Sequence, residues 1–221
     1  MRCLVTAGPT WEPVDQARRL TNFSTGRLGG ELANALAAAG HEVLLFLSET
    51  ATWRLPLAAV SVRPFSTTAS LLEGLEAEAS EIPMAVFQVA AVSDFAVGTR
   101  ARRIGSDVWI PETAGKPSTA GGSLWLELVP TPKILPRLRD WFPRGHLVGW
   151  KYEVDGDPQT AVQRGWEQIR SARTDACVVN GPAWGRGFCR LHREGGRVEV
   201  GSSTGLIQTL LADLPRSESG Q

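Results

Sequence analysis

Short apolar runs alternate with stretches of helical spacing along almost all of this chain, and no other feature restricts its fold so strongly. Residues 3–7, 43–47, 84–91, 147–150 and 175–179 are apolar runs of strand length, and 60–65 is a further strand. Runs that stay apolar without alternating belong to parallel strands covered on both faces. Between them, Leu28, Leu32, Ala35, Leu36 and Ala39 recur at three- and four-residue spacing. That spacing predicts a helix over 28–39, capped by Ser24 or Thr25 and ended at Gly40. Helices are predicted likewise over 67–80, 132–141, 158–170 and 204–214. Strand–helix alternation of this kind implies an α/β fold, a Rossmann-like, doubly wound and mainly parallel sheet. Ligands in such sheets bind beyond the carboxyl ends of the strands. The segments to search therefore follow Ala7, Leu47, Ala91, Trp150 and Val179.

Two stretches break the alternation. Residues 95–122 are rich in Gly, Arg, Pro, Ser and Thr and carry weak periodicity, so they read as a long flap leaving the domain. Residues 124–129 alternate apolar and polar, as a half-exposed strand does. Near the end, 188–193 and 197–200 read as a hairpin joined at Gly195-Gly196 that could extend one edge of the sheet. The whole reads as a single domain over 1–214 with a frayed tail over 215–221.

Composition excludes several classes. Lys plus Arg and Asp plus Glu both number 23, so a nucleic-acid partner held by bulk charge is not expected. Nor is a membrane span, because no apolar run approaches roughly 18 residues. Met1 leads straight into the first apolar run, so no signal peptide is expected and the chain reads as cytoplasmic. Cys3, Cys177 and Cys189 are odd in number and form no CxxC, which favours buried free thiols while leaving a catalytic Cys open. His41, His146 and His192 show no metal-ligand spacing, and a zinc site is not expected.

The first loop carries the chemistry. Thr6-Ala7-Gly8-Pro9-Thr10 follows the first strand, and Asn22-Phe23-Ser24-Thr25-Gly26-Arg27-Leu28-Gly29-Gly30 opens the first helix. This is neither GxGxxG nor a P-loop. It still has what phosphate binding needs: glycines that allow close backbone approach, hydroxyls, and N–H groups at a helix start. Arg27 can add charge. Asn22 is not needed as a cap, and its amide could hold a reacting carbonyl or phosphate. Glu12 and Asp15 can fix the loop by hydrogen bonds. Trp150 can stack on a base; Lys151 reads equally as a phosphate contact or a surface lysine, and Asn180 as a ligand contact or a turn residue.

These residues also carry a family resemblance. The segments 4–15 and 21–29 resemble the opening of phosphopantothenate–cysteine ligases, also called phosphopantothenoylcysteine synthetases, whose domain has the historical label "DNA/pantothenate metabolism flavoprotein, C-terminal". The likeness continues through Ala90-Ala91-Val92-Ser93-Asp94-Phe95, Gly115-Lys116, Pro132-Lys133-Ile134-Leu135, 148–153 and 175–180. The resemblance implies that CTP or ATP, with Mg²⁺, activates 4′-phosphopantothenate as an acyl-nucleotide and that L-cysteine then captures it. It implies Asn22 and Lys116 as catalytic residues. Gly8, Pro9, Thr10, Ser24, Gly26, Gly29, Ala91 and Asp94 would form the nucleotide site with Trp150 and Lys151, and Asp94 would be the metal contact. Asn22, Arg27 and Asn180 would contact substrate. It further implies a homodimer whose flap reaches across the interface. No flavin is expected, because the chain opens at the ligase domain, and a flavin-dependent decarboxylase would be a separate partner.

Departures from the family pattern are confined to charge. The flap has one lysine, Lys116, where relatives carry a lysine-rich stretch. Arg170 and Arg173 stand where lysines are common, and Gly181 where Asp is common. Two other readings remain at this point: a catalytically decayed nucleotide-binding relative, and an NAD(P)-dependent oxidoreductase. The second lacks GxGxxG, and Tyr152 has no lysine four positions later.

Overall fold

The computed structural model describes residues 1–54, 56–57, 60–82, 84–104, 108–194 and 196–215. In chain order, β1 (Arg2–Ala7) is followed by two short strands, β2 (Trp11–Pro13) and β3 (Arg19–Thr21), and by α1 (Arg27–Ala38). Next come β4 (Glu42–Ser48), β5 (Val60–Phe65), α2 (Thr68–Glu76) and β6 (Ala85–Gln88). The flap strands are β7 (Phe95–Ile104), β8 (Val108–Pro111) and β9 (Leu124–Pro130). The chain closes with α3 (Leu138–Trp141), β10 (His146–Tyr152), α4 (Pro158–Ala172), β11 (Ala176–Asn180), β12 (Phe188–His192), β13 (Gly196–Val200) and α5 (Ser203–Ala212).

The main sheet has eight strands in the order β13-β12-β11-β10-β6-β1-β4-β5. From β11 to β5 all pairs are parallel, and the β12–β13 hairpin adds two antiparallel strands at one edge. Alternation along β1 explains why its sequence shows no polar face. Cys3 and Val5 pack with Leu32 and Leu36 of α1 and Leu206 and Leu210 of α5. Leu4 points the other way, into Phe46, Leu71, Leu75, Leu138 and Phe142. Both faces are covered, so both alternating sets must be apolar. A third cluster seats α4 on Cys177, Val179 and Leu191.

Several boundaries depart from the sequence reading. The helix expected over 67–80 stops at Glu76, and that expected over 132–141 is a 3₁₀ turn, Leu135–Arg137, followed by a single α turn. Pro132 and Pro136 supply no backbone N–H, which delays a regular helix. The strand expected over 84–91 leaves the sheet after Gln88. Helix α1 has Gly26 at its N-cap, at φ +81°, with no side chain capping it. Thr25 contributes only an Oγ1 that accepts from the Arg27 N–H at 3.3 Å. The flap is not a loop: β7 pairs with both β8 and β9 in a separate antiparallel sheet. The predicted turn residue Gly195 and positions 216–221 of the predicted tail lie outside the described residues.

Candidate nucleotide-binding cleft

Beyond the carboxyl ends of β1, β6 and β10 opens a cleft of about 1390 Å³. The two halves of the first loop close around it. Gly26 lies against Gly8, where an added Cβ would come within 3.3 Å of the Gly8 nitrogen; its positive φ needs glycine as well. At Gly29 a Cβ would meet Ala7 Cβ at 2.6 Å, so this glycine lets α1 seat directly on the end of β1. The first-turn N–H groups of α1 have no helical acceptor and no acidic side chain beside them, an arrangement suited to an anion.

A second set of bonds ties this loop to the segment after β6. The Thr10 N–H donates to the Ala91 carbonyl at 3.1 Å, and the Ala91 N–H donates to the Gly8 carbonyl at 3.0 Å. The same Ala91 carbonyl accepts from the Asn22 amide at 3.2 Å. Thr6 Oγ1 accepts from the Ala90 N–H at 2.9 Å. Thr131 Oγ1 donates to the Ser93 carbonyl at 2.5 Å, bringing the residues after the flap against the same strand end. Glu12 accepts from the Thr68 N–H at 2.9 Å, and Asp15 accepts from the N–H groups of Ala17 and Arg18, so both carboxylates brace the loop as the sequence allowed.

Of the residues singled out from sequence, Gly8, Pro9, Asn22, Ser24, Gly26, Arg27, Gly29, Ala91, Asp94, Trp150, Lys151 and Asn180 all line this one cleft. Thr10 does not. It is fully buried, and its Oγ1 accepts from Ser93 N–H at 2.8 Å and Thr68 Oγ1 at 3.2 Å, the work of a staple between loops. Lys116 does not line the cleft of its own chain either; it is carried on the flap, where the Gln16 N–H donates to the neighbouring Gly115 carbonyl at 2.9 Å. Arg170 and Arg173 are also outside the cleft, although Gln168, Ser171 and Ala172 at the end of α4 line it; Arg173 pairs instead with Asp140 at 2.6 Å. Arg100 and Arg102 donate to the carbonyls of Ala114 and Ser118, which holds the flap's connecting segment in shape.

Three cations in the cleft are paired with carboxylates. Asp94 meets Lys133 at 2.5 Å, Arg27 meets Glu31 at 2.7 Å, and Lys151 meets Glu153 at 3.2 Å. Glu153 is buried and also holds Arg164. No group of three His, Cys, Asp or Glu able to hold a metal occurs among the described residues. Asp94 is an exposed hard oxygen donor, which suits Mg²⁺ carried by a polyphosphate but not a metal caged by protein. The cysteines are poor nucleophiles: burial pushes the Cys177 thiol up to about 12 and that of Cys3 to about 11. The cleft can therefore bind and polarise a ligand, and no cysteine lines it.

Residues 1–194 match the family described as the DNA/pantothenate metabolism flavoprotein C-terminal domain. The chain belongs to that family. Over 180 residues it is 34% identical to the coenzyme A biosynthesis bifunctional protein CoaBC of Thermococcus kodakarensis, covering 81% of this chain and 41% of that protein. It is 28% identical to the human phosphopantothenate–cysteine ligase, covering 80% of this chain and 71% of that one. The chain thus spans less than half of the bifunctional relative. Among solved structures, a DNA/pantothenate metabolism flavoprotein from Streptococcus pneumoniae superposes with a TM-score of 0.81 at 25% identity, covering 96% of this chain and 97% of that one.

Within this flavoprotein C-terminal domain, some cleft residues had not been singled out from sequence. Lys133 lies inside the Pro132–Leu135 motif, and nothing in the sequence signals its pairing with Asp94 across 39 positions. Arg19 lines the cleft from β3, with its guanidinium 5.5 Å from the Trp11 ring centre, and Phe188 enters from the edge hairpin. Gln88 lies in a run that is otherwise wholly apolar, where one polar residue gives no signal of a site.

Proposed function

We propose that this domain is a phosphopantothenate–cysteine ligase that forms an acyl-nucleotide before making the amide. The observation that carries the reading is the closure of the first loop on the Ala91 segment, which gathers Gly8, Asn22, Gly26, Gly29 and Asp94 about one cleft. The names of the curated relatives support the same chemistry. The phosphates of CTP or ATP rest against the α1 amides. A carboxylate oxygen of 4′-phosphopantothenate attacks the α-phosphorus, and pyrophosphate leaves. The cysteine amine then attacks the acyl carbon, the nucleoside monophosphate departs with the bonding pair, and the amine loses a proton. Asp94 would hold the Mg²⁺ that comes with the nucleotide, which would offset the repulsion between the anions. Asn22 and Lys151 supply orientation and charge.

The domain acts as a homodimer. The flap exposes Ile104, Val108, Ile110 and Leu126 on one face and Trp109 and Trp125 on the other, more apolar surface than an isolated flap sheet would carry into water. In this reading the flap lies on a second copy, and Lys116 serves the partner's cleft.

Pyrophosphate release with 4′-phosphopantothenate, L-cysteine, Mg²⁺ and either CTP or ATP tests the reaction. Release with one nucleotide and both co-substrates is expected. Nucleotide binding without pyrophosphate would mark a decayed relative and end this reading.

A further inference from the structure

We propose that Gln88 reads a neutral donor–acceptor edge of the bound ligand and is a specificity residue of the cleft. Resting on the ligase reading, this names what one side of the cleft recognises. Gln88 ends the central strand β6, is 6% exposed and lines the cleft. Both its Oε1 and its Nε2 are buried without a hydrogen-bond partner, and it is the one side chain among the described residues with two separate polar atoms left so. Buried amides are rarely left so, because the lost hydrogen bonds to water are not replaced.

Its position narrows the ligand. Val86, two residues earlier, packs with Leu4 and Leu147, whereas Phe87 packs with α1's side of the core. Strand alternation therefore turns Gln88 to the face opposite α1, and so opposite the Gly8–Gly26–Gly29 cradle. Val148 pairs with Phe87 on the α1 face, and the next residue, Gly149, turns to the Gln88 face and lets Leu135 and Gln168 press close to the sheet. Ile134 and Leu135 line this side of the cleft together with Gln168. An anion would use only the Gln88 N–H groups and be repelled by its carbonyl, and the anion cradle lies across the sheet. A carboxamide, or the amidine-like edge of a nucleobase, presents an acceptor beside a donor and satisfies both halves of Gln88 at once. The base of CTP or ATP has that edge; the trans secondary amide of 4′-phosphopantothenate, whose N–H and C=O point apart, meets only one half of Gln88 at a time and is the alternative source.

The test uses the whole chain with Gln88→Leu and, as an unbranched isostere, Gln88→Met. Calorimetric titration with CTP, ATP and 4′-phosphopantothenate separately, and thermal denaturation of each protein, are the readouts. An unpaired buried amide replaced by an apolar side chain leaves the melting temperature equal or higher. Affinity for one ligand class is expected to fall about 10- to 100-fold, with the other unchanged. Loss on the nucleotide arm assigns the base, and loss on the acid arm assigns the amide. If either folded variant binds all three ligands as the parent does, the role of Gln88 is overturned while the ligase reading stands. A parent protein that binds none of the three overturns the ligase reading itself, and the role of Gln88 with it.

Discussion

Asn22 is exposed and lines the cleft, and its amide is hydrogen-bonded to the Ala91 carbonyl. Asn22→Asp keeps the shape but replaces a donor with an anion, facing a carbonyl and the incoming phosphates. Turnover is expected to fall by about 10²–10³-fold, the usual loss for one donor at a developing charge, with an unchanged unfolding midpoint. Single-turnover assays beside urea titration check this; unaltered turnover removes Asn22 from the mechanism. Glu153 is a buried carboxylate held between Lys151 and Arg164. Because both cations reach water, Glu153→Gln is expected to destabilise by only about 1–2 kcal/mol, as loss of charged hydrogen bonds does. It also frees Lys151, so nucleotide affinity falls in the same variant. Stability lost with affinity intact would limit Glu153 to the fold.

At the scale of elements, two contacts set the cleft. Helix α1 begins on β1 only because position 29 has no side chain. Gly→Ala inside a helix ordinarily stabilises by about 0.5–1 kcal/mol. Here a Cβ would stand 2.9 Å from the Thr6 carbonyl as well as against Ala7, so Gly29→Ala is expected to reverse that sign and destabilise by about 1–3 kcal/mol. A urea midpoint that rises would show that α1 does not bear on β1. The flap is the second element. Trp109 and Trp125 meet edge to face at 4.6 Å, and both are exposed. If the flap lies on a second copy, Lys116→Gln and Asn22→Asp subunits, each inactive, complement one another when mixed. Random exchange makes half the dimers mixed with one intact site each, so about a quarter of parental activity returns in a two-fold assembly. No recovery on mixing would confine each site to a single chain.

At the scale of the molecule, acid sensitivity comes from the far end of the sheet. His146 begins β10, is buried, and stacks on His192 with ring centres 5.9 Å apart. Burial holds its pKa below the ordinary 6.5, Asp175 and Asp213 pull it upward, and His192 and Arg193 add to the depression. The unfolded chain therefore takes up a proton near pH 6.5 that the folded one refuses. Stability is full above that pH, falls as pH drops below it, and levels off once the folded pKa is passed. His146→Phe is expected to flatten this limb, measured as unfolding free energy at pH 5 against pH 7.5. A slope equal to the parent's would shift the cause to other groups.

The sequence by itself determined the α/β class, the strand and helix segments, the edge hairpin and most of the cleft. Apolar period and glycine placement are local properties, and the strand-end rule then says where a ligand goes. Only the tertiary structure decided the rest. That Phe95–Ile104 pairs with two later strands, that Thr10 is a staple rather than a lining residue, and that Lys133 answers Asp94 all depend on contacts between distant positions. The N-cap at Gly26 escaped notice because Ser24 and Thr25 looked sufficient, although the approach of Gly8 governs the turn. Gln88 escaped because one polar residue in an apolar run carries no period. Its meaning comes from what surrounds it, an unpartnered amide turned into a cleft that no local pattern encodes.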